Sequence, residues 1–94
     1  MNINRLQAEA TRNSQMRSNA EEHLYANEYS DNITGYLSLL YDEATMKLCN
    51  MRQEFYNHLL FGVSVPESYW SNLDACIQEY NEAYSTLAMV VGKE

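Results

Sequence analysis

Proline occurs once in the chain and glycine three times. So few breakers exclude a loop-rich or low-complexity protein and favour long helices. Apolar runs such as Leu59-Leu60-Phe61 fall far short of the roughly 20 residues that a membrane-spanning helix needs. The opening Met1-Asn2-Ile3-Asn4-Arg5 begins no apolar segment, so no signal peptide is expected and the expected location is cytoplasmic. Cysteine is limited to Cys49 and Cys76, without a CxxC pair, which excludes a disulfide framework and the usual zinc spacings. Basic residues are scarce as well: six Lys and Arg stand against thirteen Asp and Glu, a net charge of −7. An acidic body repels phosphate, so direct nucleic-acid binding is not expected, while a partner's basic surface would be attracted.

The charge is unevenly spread. Residues 1–20 carry Arg5, Arg12 and Arg17 against Glu9, a balance of +2, and residues 21–94 carry a balance of −9. The 94 residues make a single domain, 1–94. A chain this short buries only roughly 60–70% of its unfolded surface, so its core is thin and partnering is a natural supplement.

What is present is helical periodicity. Ile33, Leu37, Leu40, Ala44, Leu48, Met51, Phe55 and Leu59 recur at strides of three and four, one face of a helix over about 32–61. Ser30 or Asp31 can cap its start, Gly62 can end it with Val63 as a closing apolar contact, and Gly35 can allow a bend or a close approach. Val65, Tyr69, Leu73, Cys76, Tyr80, Tyr84, Leu87 and Val91 repeat the pattern over about 65–91. Ser64 and Glu67 have the spacing of a capping box, with Pro66 in the first turn. Joined by so short a turn, these two helices must fold back as a hairpin, each about 40 Å long. Residues whose numbers total about 125 should then face each other, including Phe55 with Trp70 and Tyr41 with Tyr84. A first helix over about 5–26 has only a sparse face of Leu6, Ala10, Met16, Ala20, Leu24 and Tyr25. An Asn4–Gln7 box can start it, and residues 1–20 are expected to fray. The predicted fold is all-α: a long antiparallel hairpin with an N-terminal helix, assembling as a dimeric helical bundle.

Chemical motifs are weak beside this. Cys49 and Cys76 fall at one level of the hairpin, but Cys49 lies about 100° around the helix from Leu48, which suits small core thiols better than a bridge. Glu54 and His58 have an ion-pair spacing rather than the inward Glu-x-x-His repeat of a di-metal bundle. The pairs Asp42–Glu43 and Glu79–Glu82 read as a solvated face, since acid/base catalysis needs carboxyls set apart in a cleft. With no nucleophile elbow, phosphate loop or dinucleotide fingerprint, no enzyme activity, cofactor or metal is expected.

Tyrosine is the abundant feature, with eight in the chain. Its ring buries apolar area while its hydroxyl stays wet, which suits a core margin or a contact surface. Tyr36, Leu39, Tyr41 and Met46 lie beside the main stripe of the second helix and are the candidate homodimer contact; Arg5, Arg12 and Arg17 can pair across it with the acidic body. The function read from these features is a non-enzymatic interaction module that occludes or recruits a partner protein with a basic surface. In style, the chain resembles accessory or phage-encoded inhibitors. The alternatives are a mimic of DNA phosphates and a metal or redox bundle.

Overall fold

A computed structural model describes residues 2–93. It contains three α-helices, α1 (Ile3–Ala26), α2 (Ile33–Phe61) and α3 (Ser68–Val91), and no strand among the described residues. The ends differ from the expected ones because other side chains do the capping. Asn2 accepts from the Asn4 backbone N–H at 2.8 Å, so α1 begins ahead of the expected Asn4–Gln7 box. Asn32, rather than Ser30 or Asp31, caps α2 by accepting from the Gly35 N–H at 2.9 Å. The Ser64–Glu67 box does not form: Glu67 is already helical and makes no side-chain cap bond. Instead a tight turn from the Tyr69 N–H to the Pro66 carbonyl, 3.0 Å, leads into α3. Gly62 does end α2, at φ 68°, with the Val63 N–H returning to the His58 carbonyl. Val63 itself stays exposed.

α2 is the central helix. Asn13 and Arg17 reach Cys49 and Asn50, while His23 reaches Asp42, so α1 runs antiparallel to α2. α3 also runs antiparallel to α2, in the expected register: Phe55 meets Trp70 with ring centroids 5.5 Å apart, and Tyr41 meets Tyr84 at 6.1 Å. α1 and α3 pack on α2 but not on one another. The result is an open three-helix layer rather than a closed bundle. Lys47 and Glu79, paired at 3.0 Å, lie on one side of it. His23 and Leu87 line a common cleft on the other.

The core is accordingly thin. On α2 the stripe residues Leu37, Ala44 and Leu48 are buried, while Ile33 and Leu59 lie exposed at the helix ends. Leu6, Asn13 and Ala20 form the buried line of α1, seven residues apart, and Tyr25 points to solvent instead of joining it. The polar run expected to fray is therefore anchored at its middle by Asn13, whose Nδ2 donates to the Cys49 carbonyl at 2.8 Å. α3 contributes one buried side chain among its described residues, Tyr69, whose hydroxyl donates to the Met51 carbonyl at 2.6 Å. Gly35 allows the close approach: a Cβ there would collide with the backbone carbonyl of Ser30.

Candidate interaction surface

The residues singled out as a contact do not form one patch. Tyr36 is exposed, whereas Leu39 and Met46 are half-buried. Tyr41 lies inside the α2–α3 seam, stacked at a tilt on Tyr80 and hydrogen-bonded to it, hydroxyl to hydroxyl, at 3.1 Å. That bond, with burial, pushes the Tyr80 phenol up to about 12. Arg5 pairs with Glu9 on its own helix at 3.3 Å. Arg17 pairs with Glu21 at 3.1 Å and also holds Asn50 of α2 at 2.7 Å. Arg12 lines a small cleft of about 200 Å³ with Glu9, Asn13, Met16, Arg52 and Tyr56.

The polar motifs resolve into local structure. Asp42 is buried rather than part of a solvated face, because α1 and the bend after it close over it. Its carboxylate accepts from the Tyr29 hydroxyl at 2.6 Å and lies 3.4 Å from His23 Nδ1. Burial first, then this carboxylate, holds the Tyr29 phenol well above its ordinary range. Glu79 is occupied by Lys47, whose ammonium pKa is raised by that hydrogen bond. His58 does not pair with the Glu54 carboxylate; its Nδ1 hydrogen-bonds the Glu54 backbone carbonyl at 2.8 Å. Both cysteines are free thiols: Cys49 is fully buried, which pushes its pKa up, and Cys76 is half-buried. No group of three or more His, Cys, Asp or Glu suited to a metal ion occurs among the described residues. No described helix is long and apolar enough to cross a membrane.

The apolar side chains left open concentrate elsewhere. At the hairpin tip Leu59, Leu60, Phe61 and Val63 are exposed, and Phe55, Leu59, Val63, Val65 and Trp70 line a cleft of about 470 Å³. Along α3, Trp70 is 48% exposed, Tyr84 56% and Val91 50%, with half-buried Ile77 between them. These four recur every seven residues and so share one flank of the helix. They are held from behind: Trp70 lies edge-on to Phe55 and Tyr69, and Tyr84 against Tyr41. The opposite flank, bearing Glu79, is polar and joins the Lys47 side of the layer.

The heptad recurrence of Trp70, Ile77, Tyr84 and Val91 was visible in the sequence. In the sequence Tyr84 and Val91 belong to the same stripe as Tyr69, Cys76 and Tyr80, and only the packing separates the open flank from the side that faces α2. Comparison with known protein families, curated proteins and solved structures finds no match.

Proposed function

We propose that this chain is a non-enzymatic protein–protein interaction module, and that it acts as a homodimer which occludes or recruits a partner with a basic surface. The observation that carries the reading is α3. It buries one described side chain, leaves Trp70, Tyr84, Met89 and Val91 about half exposed or more, and carries Asp74, Glu79 and Glu82 without a single Lys, Arg or His. Large apolar groups left open on a helix suit a protein contact, and the acids around them suit a further partner that supplies positive charge. Tyr36, which shares a cleft with Leu39, offers a second and smaller contact on α2.

The same placement favours this reading over mimicry of DNA. A mimic needs carboxylates tiling one surface, and here Asp42 is buried while Glu79 is held by Lys47. The test uses the full chain as bait against host lysate, followed by titration of any purified partner at increasing salt. A module of this kind retains a basic protein with moderate salt sensitivity, and Glu43→Lys with Glu82→Lys, both exposed, weakens the retention. Failure to retain any protein at micromolar bait would overturn the reading. A steep salt dependence, with competition by duplex DNA for the partner, would replace it with the mimic.

A further inference from the structure

We propose that α3 pairs with α3 of a second copy, antiparallel and along its whole length, through a seam of Trp70, Asp74, Ile77, Asn81, Tyr84 and Ala88. This rests on the dimer reading above and assigns its face, which is not the Tyr36 side of α2.

The surface area calls for an occupant. The chain exposes 6647 Å². A folded monomer of 10.9 kDa is expected to expose about 5,600 Å². The excess, about 1,000 Å², is close to the roughly 800 Å² that each partner buries in a standard-size interface. Its source is the open layer, in which α3 touches one neighbour only.

The residue pattern says what kind of occupant fits. Strides of four and three run from Trp70 through Asp74, Ile77, Asn81 and Tyr84 to Ala88, the spacing of a helix–helix seam. All are exposed except the half-buried Ile77. A parallel self-pair would set Asp74 against Asp74, a like-charge contact that destabilises. In the antiparallel pair, facing residue numbers total about 158, which overlaps the full helix Ser68–Val91. Trp70 then meets the second copy's Ala88, large against small. Asp74 meets the second copy's Tyr84, whose hydroxyl can donate to the carboxylate. Ile77 meets the second copy's Asn81, and two-fold symmetry repeats all three layers. Near each end Glu67 comes within reach of the second copy's Lys93, a cation that makes no ion pair among the described residues. Size at Trp70–Ala88, hydrogen bonding at Asp74–Tyr84 and charge at Glu67–Lys93 thus agree in a register that overlaps the helices completely, with Ile77–Asn81 as its mixed layer.

The experiment is light scattering of the full chain at micromolar concentration, native and in two variants. Ala88→Arg adds bulk and charge at an exposed seam position; Tyr36→Arg does the same on α2. Helicity by circular dichroism checks that both variants fold. The expected native mass is about twice 10.9 kDa. Ala88→Arg should weaken the dimer at least roughly 100-fold, giving the monomer mass, while Tyr36→Arg leaves it intact. A native monomer overturns both this pairing and the dimer reading, leaving capture of a foreign partner to be judged by the bait experiment. A native dimer that survives Ala88→Arg, or that Tyr36→Arg also dissolves, overturns the α3 pairing and keeps the dimer.

Discussion

Asn13 offers a test in which the intuitive sign is the wrong one. It is 3% exposed, within the buried line of α1, and its Nδ2 donates to the Cys49 carbonyl at 2.8 Å. That direction is forced, since a carbonyl can only accept, and it leaves Asn13 Oδ1 buried with no protein donor. Replacing Asn13 with Leu removes the hydrogen bond, a loss of about 0.5–1.5 kcal/mol. The low end applies, because the Cys49 carbonyl lies within a continuous helix and keeps its place in the ladder. The change also removes the orphaned oxygen, a gain of about 1–3 kcal/mol. Burying the larger apolar side chain gains a further 1.5–3 kcal/mol or so. Crowding takes back about 1–3 kcal/mol, moderated here by the adjoining cleft beside Met16 and Tyr56. The net expectation is stabilisation by about 1–2 kcal/mol. For a chain this size that is a rise in midpoint of roughly 4–8 °C per kcal/mol. Thermal and urea denaturation followed by circular dichroism give the value, at one protein concentration so that self-association does not enter. A fall in stability would refute the reasoning and point to a bound water as the missing donor to Oδ1.

Three other outcomes follow from the packing. Gly35→Ala should lower stability by more than the fraction of a kcal/mol by which Ala is the better helix former, because its Cβ meets the Ser30 carbonyl and must displace the bend between α1 and α2; an unchanged or raised midpoint would show that the bend yields freely. Phe55→Ala should cost about 2–3 kcal/mol, below the 3–5 of a fully buried ring because Phe55 is half-buried, and Trp70 fluorescence should shift as its edge-on neighbour is lost. Stability should fall at alkaline pH. Cys49 has a thiol and Tyr29, Tyr69 and Tyr80 have phenols raised in the folded chain, Tyr80 to about 12, so the unfolded chain releases protons first, from about pH 9 for the thiol and about pH 10 for the phenols. The loss grows as pH rises towards the folded values, and phenolate absorbance should appear together with the loss of helix; phenolate forming on an intact fold would contradict it.

The periodicity of apolar residues by itself determined that the chain is three helices, and Gly62 determined where the hairpin turns. The α2–α3 register was legible for the same reason: one short turn between two long helices leaves a single way to set Phe55 against Trp70 and Tyr41 against Tyr84. Capping was less legible, because Asn2, Asn32 and their neighbours are chemically close competitors, and the backbone conformation at the helix entry decides between them. Which side of each helix stays open belonged to tertiary structure alone. Periodicity says that a face is apolar, not whether a neighbour covers it, so it suits Tyr41 equally to an outer contact and to the seam that it closes with Tyr80. Asn13 and Asp42 could not be placed from polarity, since each is buried through a partner distant in sequence, the Cys49 carbonyl and the Tyr29 hydroxyl. The open layer follows likewise from α1 and α3 choosing separate faces of α2, and that choice is what leaves the flank of α3, from Trp70 to Val91, uncovered.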